Sequence, residues 1–168
     1  MPGRDKITKQ GKDFFKQIEL LKKLQVRVGF QQGTASGEDS GADIVDIAAW
    51  NELGTENAPA RPFLRQSVEN NAAQIEAMCR AQLAKIVNGQ ATAEEALKAI
   101  GVMQKALIQN EIKNGGFEPN APITIEGGWM HRNGKSFFIK GKKSSQPLID
   151  TGRLRQSVNF VITEKGDD

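Results

Sequence analysis

The side chains that enzymes most often use as nucleophiles, bases and metal ligands are scarce in this sequence. Among its 168 residues there is one histidine, His131, and one cysteine, Cys79. A Cys/His enzyme would need both in one site, but Cys79 lies on the apolar stripe of a predicted helix, where a small buried hydrophobe is its usual role. A single cysteine also excludes an intramolecular disulfide and a cysteine-based zinc cluster. The sequence therefore predicts a protein that is not an enzyme and that binds no metal or cofactor.

Two segments come close to ligand-binding motifs without matching them. Residues Gly128 to Ser136 resemble a phosphate-binding P-loop, but five residues separate the two glycines where the motif has four. The residues that follow, Phe137 to Ile139, predict a strand, whereas a P-loop opens a helix. The acidic run Glu38 to Asp43 lacks the alternating ligands and the terminal glutamate of a calcium loop. Neither segment therefore predicts a ligand site.

Charge is segregated along the chain although the formal net charge is only +3. Residues Val28 to Ala60 contain six acidic side chains and no Lys or Arg. Residues Gly127 to Ile149 contain no acid and five basic side chains, namely Arg132, Lys135, Lys140, Lys142 and Lys143. Such segments are either solvated loops or complementary surfaces on neighbouring copies of an assembling subunit.

A basic nucleic-acid-binding module is the alternative from a different functional class. Phe137 and Phe138 beside the lysines of this segment could form a basic, partly aromatic surface. Two observations argue against it. The overall charge is nearly balanced, and two adjacent Phe on a strand place one of them towards the core.

The helical part of the chain is predicted from apolar periodicity. Residues 11–24 predict an amphipathic helix, and Asp43 caps a short helix that ends at Leu53. Apolar residues from Leu64 to Ile86, including Cys79 and Leu83, recur at spacings of three and four. Asn88-Gly89 and the capping box of Thr92 and Glu95 then start a second helix. These residues predict a long antiparallel helical hairpin over about 62–113.

The remaining elements are predicted to be strands. Residues 25–30 alternate with period two, and Ile123 to Glu126 predict a short strand. Asn133-Gly134 predicts a basic β-hairpin over about 129–140. After a short helix capped by Asp150 or Thr151, a C-terminal strand covers about 157–163. The fold class is α+β in one domain of residues 1–168, with a small, mainly antiparallel sheet packed against the helical hairpin.

Two segments carry a resemblance to a known family. The first contains Asn51-Glu52-Leu53-Gly54-Thr55, followed by Pro59-Ala60-Arg61-Pro62-Phe63-Leu64. The second is Pro147-Leu148-Ile149-Asp150-Thr151-Gly152-Arg153-Leu154-Arg155-Gln156-Ser157-Val158. In this order, separated by a long helical segment, they resemble the tailed-bacteriophage virion-morphogenesis proteins. These are the small neck, tail-completion or minor tail proteins that join head and tail.

The resemblance implies a structural virion protein, localised in the neck or tail and in the host cytoplasm during assembly. It implies a homo-oligomeric ring with six-fold or twelve-fold symmetry around the DNA channel. Its partners would be other neck, connector and tail proteins, with non-specific contact to DNA in the channel. No membrane partner is expected, since no apolar run approaches the length of a membrane span. A tail terminator or another minor tail protein is the runner-up.

Residues at subunit or partner interfaces are expected in the two motif segments and in the basic hairpin. Arginine suits such contacts because its guanidinium pairs with carboxylates through two parallel hydrogen bonds. The expected interface residues are Arg61, Phe63, Arg65, Arg132, Lys135, Lys140, Lys142, Lys143, Arg153 and Arg155. Fold maintenance is the competing interpretation for each motif residue.

Overall fold

The computed structural model of the chain describes residues 7–33, 41–132, 134–149 and 152–166. The predicted caps Asp150 and Thr151 lie outside these ranges, as does most of the loop predicted over 32–42. The helices are α1 (Lys9–Lys23), α2 (Ile44–Leu53), α3 (Phe63–Glu69), α4 (Ala72–Val87), α5 (Ala93–Asn114), α6 (Pro122–Glu126) and α7 (Arg153–Ser157). The strands are β1 (Leu24–Gly29), β2 (Gly127–Arg132), β3 (Lys135–Lys140) and β4 (Asn159–Glu164). The predicted α+β class is confirmed.

The chain divides into two compact units. Unit 1 comprises Met1–Gly29, Ser67–Leu107 and Asn159–Asp168, and unit 2 comprises Phe30–Gln66 and Ile108–Val158. Each unit contains one antiparallel pair of strands, β1 with β4 and β2 with β3. The predicted small sheet is therefore two separate two-stranded sheets in the described part of the chain.

In unit 1, the β1–β4 pair packs against α5. The register places Val26 opposite Ile162 and Val28 opposite Phe160. Gly101 of α5 approaches this pair so closely that a Cβ atom there would lie 2.5 Å from the Phe160 ring and 3.0 Å from Val26. The glycine is required by this contact, and the expectation of a sheet on the helical hairpin is confirmed for this strand pair.

The helical hairpin departs from the prediction in its first arm. The continuous helix expected from residue 62 to about 86 is interrupted at Asn70 and Asn71, which separate α3 from α4. The second arm, α5, forms as predicted, and the carboxylate of Glu95 accepts hydrogen bonds from the Thr92 N–H and hydroxyl at 2.8 and 3.0 Å. The chain reverses between the two arms. This reversal brings the Gln104 amide of α5 to 3.4 Å from the hydroxyl of Ser67 in α3.

The buried face of α4 is also not the predicted one. Gln82 and Ile86 are buried, whereas Cys79 and Leu83, which were expected to be inside, are exposed. Burial of Gln82 is tolerated because its side-chain amide lies 3.6 Å from the sulfur of Met78 and so keeps a polar partner. The apolar stripe predicted from spacing therefore includes a face that the described part of the chain leaves uncovered.

In unit 2, residues Ile123 to Glu126 form helix α6 and not the predicted strand. Pro122 occupies the first helical turn, where its missing N–H has no intrahelical partner to lose. The N–H groups of Thr124 and Ile125 both donate to the carbonyl of Ala121. No helix in the described ranges is long and apolar enough to cross a membrane.

Candidate interaction surface

The two motif segments contribute several of the buried side chains of unit 2. Phe63 is fully buried and contacts Phe30 edge-on, with ring centroids 6.0 Å apart. Leu154 and Val158 from the second segment are also buried, and α7 contacts α2. We refer to Phe63, Leu154 and Val158 as the motif core. These residues maintain the fold of the unit, which was the competing interpretation of the motifs.

Arg61 and Phe63 do not lie on the surface of the chain, although both were expected at an interface. Arg61 is 8% exposed. Its guanidinium donates to the backbone carbonyls of Glu118 and Pro119 at 3.2 and 3.4 Å. These bonds explain why a cation can be buried here, because the charge keeps hydrogen-bond partners. We therefore assign Arg61 and Phe63 to the interior of unit 2.

Glu52 is a motif residue whose role was not predicted. Its carboxylate accepts hydrogen bonds from the backbone N–H groups of Leu64 and Arg65 at 2.8 and 3.1 Å. The first N–H groups of a helix lack intrahelical partners, so Glu52 caps α3 from twelve residues upstream. The role of Glu52 was not predicted because the known capping patterns join residues that are close in sequence, whereas Glu52 and Leu64 are twelve residues apart. The tight turn at Gly54, with φ of +77°, begins the return of the chain towards α3.

The other predicted interface arginines remain at the surface to different extents. Arg65 and Arg155 are exposed, and Arg153 is half-buried. The backbone carbonyl of Arg155 accepts a hydrogen bond from the Gln109 side chain at 3.0 Å, which fixes α7 against the end of α5. Of the motif residues predicted at interfaces, Arg65 and Arg155 are therefore the ones that present an accessible cation.

The β2–β3 hairpin places two aromatic rings on one exposed face. Trp129 is directly opposite Phe138 in the register, and His131 is opposite Ser136. Opposite residues of an antiparallel pair lie on the same face, and we call these four residues the aromatic face. The Trp129 and Phe138 rings meet edge-on with centroids 5.6 Å apart, yet they are 66% and 61% exposed. Exposed apolar area of this kind commonly marks an interaction site.

The neighbouring Phe137 is exposed as well. The expectation that one of the two adjacent Phe points into the core is therefore wrong. Alternation does place Phe137 on the opposite face, beside Met130, but that face leaves its ring accessible. The hairpin geometry therefore does not disfavour an aromatic binding surface.

Cations lie on both faces of the hairpin, with Lys140 on the aromatic face and Arg132 opposite Lys135 on the other face. The side chains of Lys135, Lys140, Lys142 and Lys143 are exposed. The backbone N–H groups of Lys142 and Lys143 donate to the carbonyls of Thr124 and Ile125, both at 2.9 Å, so α6 fixes the path of this basic loop. Arg132 is also exposed and pairs with Glu56 at 3.2 Å. The predicted basic residues are thus gathered around one hairpin of unit 2.

The hairpin also carries a polar pair on the aromatic face. His131 Nδ1 lies 2.7 Å from the Ser136 hydroxyl. Within the described ranges, no three His, Cys, Asp or Glu side chains form a group able to hold a metal ion. The hairpin can therefore supply two rings on one face for stacking or apolar contact, and cations on both faces and in the following loop for an acidic partner.

Comparison of the chain with models of protein families, with curated proteins and with solved structures found no match.

Proposed function

We propose that the chain is a structural virion protein of a tailed bacteriophage. It forms a ring of six or twelve copies in the neck, completes the tail, and joins head to tail around the DNA channel. The observation that carries the proposal is the co-occurrence, in order, of the segment Asn51 to Leu64 and the segment Pro147 to Val158. Within tailed-phage assembly, a tail terminator or another minor tail protein remains the runner-up.

The aromatic face supports a specific role for the hairpin in this assembly. Trp and Arg are enriched among residues that contribute most to binding, and Trp129 and Arg132 are both accessible. The acidic segment of unit 2 contains a group that the basic hairpin attracts, since Glu56 pairs with Arg132 within the chain. We propose that subunits dock on a preformed ring through the hairpin, with acidic groups of the neighbouring protein facing its lysines.

Charge reversal tests the docking role. The triple variant Lys140→Glu, Lys142→Glu and Lys143→Glu should fold normally and fail to dock or form rings. The matched control reverses Lys9, Lys12 and Lys16, three exposed lysines of α1. The readout is the mass of the particles formed, in solution and in purified virions. If the hairpin variant assembles as well as the control, the docking role is wrong.

A basic nucleic-acid-binding module is the second candidate, and one observation favours it. Three exposed rings, Trp129, Phe137 and Phe138, lie among lysines, as in surfaces that stack unpaired bases. Binding of the isolated chain to free DNA, titrated with salt, separates the two candidates. Under the ring proposal the free chain binds DNA weakly. Tight binding with a steep loss of affinity as salt rises would instead favour the nucleic-acid module.

A further inference from the structure

Helix α4 carries an apolar face that no part of the described chain covers. Its buried side is formed by Gln82 and Ile86, with Ile75 and Met78 half-buried. The side that faces solvent carries the residues Ala72, Cys79, Leu83 and Val87, which we call the outer face. Leu83 is 46% exposed. Their spacings of seven, four and four residues keep them on one side of an α-helix.

Two charged residues lie on the Leu83 and Val87 side of the outer face, and a two-fold operation relates their positions. Around the helix Glu76 falls between Leu83 and Val87, and Arg80 lies just beyond Val87. The two side chains are one turn apart and form an exposed ion pair at 2.5 Å within the helix. If a second copy of α4 runs antiparallel, with a two-fold axis near Met78, Glu76 of each copy faces Arg80 of the other. The same operation sets Leu83 opposite position 73, one residue from Ala72, so that a large side chain meets a small one. The face is therefore complementary to itself in both charge and size.

We propose that the free chain pairs with a second copy of itself through the outer faces of α4. The two helices run antiparallel, with Leu83 packed beside Ala72 of the other copy and two Glu76–Arg80 pairs between copies. Such a contact uses the same surface on both chains and closes on itself, so it yields a pair and not a ring. It describes the protein before it meets its assembly partner and is independent of the ring proposal.

The geometry also places the two Cys79 thiols near the axis. Residue 79 lies one position from the centre, so the two Cα atoms are offset by about 3 Å along the helices. Helices packed with axes about 8–10 Å apart then bring these Cα atoms to about 6 Å, which is within the range that a disulfide spans. Diamide, which accepts the two hydrogens of the thiols, should therefore join the copies through Cys79. A single helix pair buries little surface, so we expect the pair to dissociate at micromolar concentrations.

Sedimentation equilibrium of the full chain over a range of concentrations tests this proposal. We expect a monomer–dimer equilibrium, with at least a tenfold weaker association in Leu83→Glu. The matched control is Val102→Glu, which alters an exposed valine of α5 in the same unit. A chain that is monomeric throughout, or a Leu83→Glu chain that pairs as well as the control, overturns the proposal.

Charge exchange distinguishes this arrangement from any other way of pairing through α4. Glu76→Arg alone puts like charges together across the axis and should weaken pairing. Glu76→Arg combined with Arg80→Glu restores opposite charges both between the copies and within each helix, and should restore pairing. Failure of the double variant to restore it contradicts the antiparallel register, as does the absence of a diamide-linked dimer through Cys79. Neither result bears on ring formation with partner proteins.

Discussion

Within unit 2, the two motif segments bury their side chains, whereas the β2–β3 hairpin presents its side chains to solvent. In the motif segments Phe63 and Val158 are fully buried, and the polar groups of Glu52 and Arg61 are used by the chain itself. In the hairpin Trp129 and Phe138 remain exposed. The difference separates two roles within the unit: the motif segments supply side chains that stabilise its fold, and the exposed aromatic rings lie outside these segments.

Truncation of buried and exposed aromatic rings should show the largest contrast. Phe63→Ala leaves a cavity in unit 2, and we expect the free energy of unfolding to fall by about 3–5 kcal/mol. Phe138→Ala removes an exposed ring and should lower it by less than about 0.5 kcal/mol, while impairing docking. Urea unfolding of both variants measures the contrast. Similar losses in the two variants would refute the division between motif core and hairpin.

Two glycines offer the next contrast, because both have a positive φ but different surroundings. A Cβ at Gly54 would lie 2.8 Å from the Ala60 nitrogen, whereas nothing lies within 4 Å of one at Gly134. We expect Gly54→Ala to cost about 2 kcal/mol or more and Gly134→Ala about 1 kcal/mol, the latter from backbone conformation alone. The thermal unfolding midpoints should rank accordingly. An equal loss of stability in the two variants would mean that the backbone at Ala60 moves away from the added Cβ of residue 54 at no cost in free energy.

Removal of the Glu52 cap should have a smaller effect. Glu52→Ala leaves two N–H groups at the start of α3 without their carboxylate, and we expect a loss of about 1 kcal/mol. Glu118→Ala, which removes an exposed carboxylate of the same unit, is the control and should be neutral. Urea unfolding compares them. A neutral Glu52→Ala would show that the cap contributes nothing to the fold of the motif segment.

The smallest expected effect concerns pH. Hydrogen bonds from the backbone N–H groups of Val45 and Gly33 hold the pKa of Asp43 below its ordinary value of 3.8. The stabilisation is therefore present above the unfolded-state pKa and is lost as the pH falls through the lower pKa of the folded chain. As the pH is lowered from about 5 through the pKa of folded Asp43, the free energy of unfolding should fall less for Asp43→Asn than for the wild type. Urea unfolding at each pH measures this difference. Identical pH profiles would contradict this role.

Local signals in the sequence were sufficient to predict several elements. The Asp43 side chain accepts from the Val45 N–H at 2.9 Å and caps α2 as expected, and Thr92 with Glu95 caps α5. Strands β2 and β3 pair as a hairpin as predicted from Asn133-Gly134, although Asn133 itself lies outside the described residues. In each case the stabilising contact joins residues that are close in sequence, so the pattern contains the information.

Contacts between distant residues could not be predicted in this way. Glu52 caps a helix twelve residues further on, and no periodicity encodes that distance. The apolar stripe that contains Cys79 correctly indicated a helix. It did not indicate which side of the helix is covered, because the spacing of apolar residues carries no information about the elements that pack against them. Likewise, alternation placed Phe137 and Phe138 on opposite faces without showing that both faces leave the rings exposed. The exposure of the aromatic rings on the candidate surface was therefore the part least determined by sequence pattern.

The central claim is that the aromatic face of the hairpin, and not the motif core, joins the chain to its partner in the virion. The most direct test counts copies of the chain per purified virion by quantitative mass spectrometry, for the wild type and for the double variant Trp129→Ser and Phe138→Ser. We predict six or twelve copies for the wild type. The variant, with an unchanged unfolding midpoint, should fall below about a tenth of that number. Absence of the wild-type chain from virions, or full incorporation of the folded variant, would contradict the account.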